Sequence, residues 1–138
     1  MRIQRLWWCA PAVVLCGADG LLTLWGQPAE YWSGGFAVVD EDNPLAAWLL
    51  TVHPLAFAAS AVPYLLVVLG AVLLLPRSWA LVVAVGVALA HAIGVGLWGW
   101  VLFGQPLLPL AAVGVVLGAL GVLAWRRGWI GISAPPPA

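Results

Sequence analysis

Four stretches of this chain are apolar over the length that a lipid bilayer demands, and few polar residues interrupt them. They cover 6–25, 55–75, 79–103 and 107–125, and about 20 helical residues cross a hydrocarbon core of about 30 Å. In lipid every backbone N–H and C=O must find a partner within its own structure, so stretches of this kind fold as helices. Charged residues make up 7% of the 138 residues and mean hydropathy is +1.08, against roughly 25% charged residues in a soluble domain. That composition excludes a water-soluble monomer. It leaves room for a single transmembrane domain over 1–138 and no separate soluble one, so the predicted fold is all-α, an integral membrane four-helix bundle.

The ten charges are sorted by sign: arginine stands at Arg2, Arg5, Arg77, Arg126 and Arg127, and acid at Asp19, Glu30, Asp40, Glu41 and Asp42. Positive loops stay on the cytoplasmic side of a membrane, which predicts that both termini are cytoplasmic and that 26–43 forms an outer loop. Tryptophan favours the bilayer interfaces for a different reason, its amphipathic ring. In this threading Trp7, Trp8, Trp79, Trp125 and Trp129 fall near the cytoplasmic face, and Trp25, Trp32, Trp48, Trp98 and Trp100 near the outer one. The expected setting is a bacterial cytoplasmic membrane. Nucleic acid is excluded as a partner, because five scattered arginines and no lysine form no basic patch.

Read in order, the run 6–25 suits either a signal peptide or a first span, and a retained span is preferred because the apolar run continues past Asp19 beyond a usual signal core. The outer loop ends in Asp42-Asn43-Pro44, a helix start: Asn43 can cap free N–H groups, and Pro44 at the first helical position loses no hydrogen bond. An interfacial helix is predicted over 44–52, then a bend at His53-Pro54 and the second span. Pro76-Arg77-Ser78 reads as a cytoplasmic turn and Gly104-Gln105-Pro106 as a second outer turn. The tail 131–138, with three consecutive prolines, is predicted to be disordered.

Small residues at spacings of three and four allow close helix approach in lipid. The fourth span has such a stripe at Ala111, Gly114, Gly118 and Gly121, and the third a similar set at Gly86, Ala90, Gly94 and Gly96. Spacing alone leaves open whether these face helices of the same chain or another copy. Cys9 and Cys16, seven residues apart, lie about 10 Å apart along a helix, too far for a disulfide.

Asp19 is the most costly residue to place, since an ionised carboxylate at a span centre costs about 2.5–3.5 kcal/mol on insertion scales. Counted up from the cytoplasmic boundary, Asp19 and His91 each lie about 13 residues along their spans, or about 20 Å, so they can meet at one depth. Cys16 and Thr23 share the Asp19 face, and Gly94 and Val95 leave space beside the imidazole. Two readings stay open: a proton-linked Asp19/His91 pair with histidine as the switch, or a structural hydrogen bond that locks two helices in register. The structural one is the simpler. A second polar set, Asp40, Glu41, Asp42, Asn43 and His53, surrounds the start of the interfacial helix, where the helix dipole favours carboxylates. It lacks His-x-x-x-His, Glu-x-x-His and cysteine-pair spacing, so neither a metal nor a cofactor is expected. Disulfide-exchange, serine-hydrolase and phosphate-loop motifs are missing too, and a lone Ser60 in the second span is expected to bond back to its own helix.

Asp19-x-x-x-Thr23 in the first helix, followed by Glu41-x-Asn43-Pro44-Leu45 at the head of the second, resembles a domain family of unknown function in small bacterial integral membrane proteins. The likeness covers about the first third of the chain. It implies no known activity, but it does imply that Asp19, Glu41 and Asn43 form one polar cluster near the outer face. From the residues, the leading expectation is a non-enzymatic accessory or assembly subunit of a membrane complex, with the lipid bilayer and a membrane-protein partner or homo-oligomer as its contacts. A small proton-coupled transporter or channel using Asp19 and His91 is the alternative, and a metal-dependent membrane enzyme using the loop acids comes third.

Overall fold

The computed structural model describes residues 5–104, and all regular structure among them is helical. The elements are α1 (Leu6–Trp25), the single turn α2 (Ala29–Trp32), α3 (Pro44–Val52), α4 (Pro54–Leu74) and α5 (Arg77–Phe103). The expected fourth span, its stripe at Ala111, Gly114, Gly118 and Gly121, and the tail lie outside the described residues. Three helices, α1, α4 and α5, are long and apolar enough to cross a membrane. Their outward faces carry large apolar side chains such as Val14, Leu21, Val67, Leu74, Ile93 and Leu97, all exposed. A water-facing bundle would bury such residues, and lipid as the surrounding solvent removes the need to.

Local chemistry sets the helix ends. Asn43 Oδ1 accepts from the N–H groups of Leu45 at 3.0 Å and Ala46 at 3.4 Å, with Pro44 at the first helical position of α3. His53 is extended (φ −177°, ψ 143°) and separates α3 from α4, and its Nδ1 accepts from Leu55 N–H at 3.0 Å. Pro63 lies inside α4 without ending it. The turn expected at Pro76-Arg77-Ser78 is tighter than its sequence suggests: Pro76 caps α5, whose first helical residue is already Arg77. At the same end the Arg5 guanidinium donates to Leu75 O at 2.9 Å, tying the start of α1 to a carbonyl that the end of α4 leaves free. Ser60 Oγ donates to Phe57 O in its own helix at 2.6 Å.

Helix α5 packs against both α1 and α4, most extensively against α1. The close approach comes from Ala80, Ala84, Ala88 and Ala92, a buried row at every fourth position of α5. Ala12 and Leu15 of α1 meet Ala88 and Ala92, while Cys9 of α1 and Val72 of α4 meet Ala80 and Ala84. The set Gly86, Ala90, Gly94 and Gly96 lies off that row: Gly86 and Ala90 are exposed, Gly94 and Gly96 are half-buried, and Gly94 lies against Asp19 of α1. The reason is helical phase, since the alanines lie on one ridge and Gly86 and Ala90 turn away from it. Cys9 and Cys16 are both buried and unbonded.

The 26–43 loop folds back on the helices through two buried polar side chains. Gln27, on the turn after α1, makes a two-point bond with the backbone of Asp40: Nε2 donates to Asp40 O at 3.0 Å and Oε1 accepts from Asp40 N–H at 3.0 Å. The same amide donates to Thr23 O at 2.9 Å. The fully buried Tyr31 hydroxyl donates to Leu50 O at 3.0 Å, and burial pushes the phenol above its ordinary value, so it stays a donor. In an unbroken helix the Leu50 carbonyl would accept from residue 54, but that residue is a proline without an N–H. Tyr31 supplies the missing donor.

Candidate functional site

The polar residues of three helices meet beneath this loop. Asp19 of α1 reaches across to α5, where Oδ2 lies 2.8 Å from His91 Nδ1, and His91 Nε2 lies 3.1 Å from the hydroxyl of Tyr64 on α4. The Tyr64 and His91 rings also meet edge to face, with centroids 5.5 Å apart. Asp19 and His91 are each about one-fifth exposed, at 21% and 20% of their side-chain area. Room for the carboxylate is made by Gly94, because a Cβ built there would sit within 2.7 Å of Asp19 Oδ2 and collide with the rest of the group. A second close approach lies above it, where a Cβ on Gly26 would overlap the Trp98 indole.

This geometry accommodates a one-proton change without losing either contact. With a neutral imidazole, Nδ1–H donates to the Asp19 carboxylate and Nε2 accepts from the Tyr64 hydroxyl. With an imidazolium, Nε2–H donates to the Tyr64 oxygen, and the hydroxyl need only rotate.

The outer loop adds one member to this cluster. Holding Asp40 on Gln27 sets Glu41 over the end of α1, where it shares a hydrogen bond with the hydroxyl of Thr23, a side chain only 3% exposed. Glu41 Oε1 also accepts from Asn43 N–H at 2.8 Å. Partial burial holds the Glu41 carboxyl above the ordinary glutamate range, reinforced by the negative charges of Asp19 and Asp42 and partly offset by the bonds from Asn43 and Thr23.

The sequence-nominated residues thus divide into two groups. Asp19, Thr23, His91 and Glu41 come together, with Asn43 fixing Glu41 from its far side. Asp40 contributes its backbone to the Gln27 clamp, and the side chains of Asp40 and Asp42 are exposed. His53 caps α4 and sets its ring against Phe36, with centroids 5.3 Å apart. Among the described residues, no group of three or more His, Cys, Asp and Glu side chains is arranged to hold a metal ion. Sequence reasoning missed Tyr64 and Gln27. A signal for Tyr64 was present, since a phenol hydroxyl within an apolar span needs a polar partner, whereas nothing local marks Gln27 as a clamp. No family model, curated protein or solved structure matches the chain.

Proposed function

We propose that this chain is a four-span protein of a bacterial cytoplasmic membrane, with both termini in the cytoplasm, and that it serves a membrane complex as a small subunit binding one proton at Asp19–His91. The observation that carries this reading is the Asp19–His91–Tyr64 chain, which joins α1, α5 and α4 and keeps both hydrogen bonds in either protonation state. Support for the threading comes from Arg5 and Arg77 at one end of the helices and Glu30, Asp40, Glu41 and Asp42 at the other. A role as a subunit rather than a proton channel is favoured by the other half of the interface. There Cys9, Ala12, Leu15, Val72, Ala80, Ala84 and Ala88 pack as buried apolar clusters, a contact suited to holding helices together.

Nitrogen NMR of the His91 imidazole in the full chain, held in lipid nanodiscs, tests the proton site. The expected result is a protonation of the imidazole that differs between the wild-type chain and Asp19→Asn, because the facing carboxylate is gone. An imidazole whose protonation is unchanged by Asp19→Asn in a folded variant overturns the reading and leaves Asp19–His91 as a helix lock. Co-purification in mild detergent addresses the partner, and recovery of a single partnerless species counts against the subunit role.

A further inference from the structure

We propose that His53 is an acid-released latch between α3 and α4, a pH-sensitive hinge separate from the Asp19–His91 pair. Both helices begin with the same device, a capping side chain followed by proline at the first helical position. Asn43 caps α3 through Oδ1, which accepts from the Leu45 and Ala46 N–H groups, and His53 caps α4 through Nδ1, which accepts from Leu55 N–H at 3.0 Å. The two caps differ in one chemical respect. An amide oxygen accepts at any pH, whereas an imidazole nitrogen accepts only while it carries no proton. Asn, Asp, Ser and Thr are the usual capping side chains, so histidine adds a property that capping alone does not need: it is the side chain that ordinarily changes charge near neutral pH.

Protonation turns Nδ1 from an acceptor into a donor aimed at another donor, the Leu55 N–H, and sets a positive charge at the positive end of the α4 dipole. His53 is exposed, so the proton comes directly from solution. No carboxylate among the described residues lies within ion-pair distance of it, and neither α3 nor α4 carries a charged residue. From the loop, Phe36 meets the imidazole edge to face, and behind Phe36 stands the Tyr31 ring, with centroids 5.2 Å apart. Tyr31 is the one titratable group on that side, and its hydroxyl is held by Leu50 O. The charged ring therefore leaves the cap for solution, and the Leu55 bond and the Phe36 contact are lost together. Two bonds at the junction do not depend on the proton: His53 N–H still donates to Leu49 O at 3.1 Å, and Tyr31 still holds Leu50. Helix α3 thus stays tethered while its angle to α4 is released.

The test follows hydrogen exchange of the Leu55 amide by NMR, on the full chain in lipid nanodiscs, together with the nitrogen shifts of the His53 ring. As His53 takes up a proton, the Leu55 amide is expected to lose protection about fivefold, after correction for the intrinsic pH dependence of exchange, the weight of one lost cap. His53→Asn gives α4 the cap that α3 already has, and is expected to keep Leu55 equally protected across the same range. His53→Ala is expected to leave it unprotected throughout. Leu55 protection that stays constant while the wild-type His53 becomes charged overturns the latch. An acid response of equal size in His53→Asn also overturns it, by assigning the response to other titrating groups, and so does a His53 that stays uncharged at every pH at which the chain is folded. The wild-type titration carries the test alone where a variant does not fold.

Discussion

At the scale of single residues, the fold depends on side chains that replace backbone partners removed by proline. Tyr31 is the clearest case, its hydroxyl bonding the Leu50 carbonyl that Pro54 leaves without a donor. Tyr31→Phe keeps the ring contacts with Trp32 and Phe36 and removes that bond, leaving a buried carbonyl unpaired. The expected loss is about 1–3 kcal/mol, read as a lower midpoint of thermal unfolding in detergent. The sequence revealed the residues whose partners are close in the chain or whose depth can be counted. Asn43 caps three residues ahead, Ser60 bonds three residues back, and Asp19 and His91 share a depth because helical rise is constant. The partners of Gln27, Tyr31 and Tyr64 were illegible for the opposite reason, even where Tyr64 signalled the need for one: they lie 13, 19 and 27 residues away, and which of many distant groups is met depends on how the loop and helices settle.

At the scale of helices, hydropathy pointed to the three long apolar helices α1, α4 and α5, since length and apolar character leave little freedom. It did not rank their faces. All three helices are apolar around most of their circumference, so the face that packs is chosen by fit, and on α5 the alanine ridge is the buried one. Glycine offers closer approach but no Cβ to contact, whereas alanine adds a methyl group that packs between two backbones. Ala88→Leu adds bulk where Ala12 and Leu15 of α1 already touch. It is expected to cost about 1–3 kcal/mol, and to broaden or abolish the Asp19–His91 bond signature in NMR, because the extra side chain pries apart the two helices that bring those residues together.

At the scale of the whole molecule, the two ends of the helices differ in kind, with small apolar packing at the arginine end and a hydrogen-bonded polar cluster under the acidic loop. The pH response of stability should therefore come from the loop end. Glu41 is held above its unfolded value of about 4.5 by burial first and by Asp19 and Asp42 next, so folding favours its protonated form. Its contribution is fully present below the unfolded value and is lost as pH rises through the higher folded one. Thermal unfolding of the full chain should show stability falling across that window, and Glu41→Gln should flatten the curve there. A curve of equal slope in the variant assigns the response to other groups. The distance between Asp19 and His91 along the chain, 72 residues, also has a meaning in time. Synthesis at about 5–20 residues per second separates their appearance by about 4–14 s. A helix threaded into lipid during that interval carries its carboxylate without the imidazole meant for it. The first span thus enters the membrane as an unfinished half of a lock, and it depends on water, on a protonated carboxyl or on the insertion machinery until the last described helix arrives.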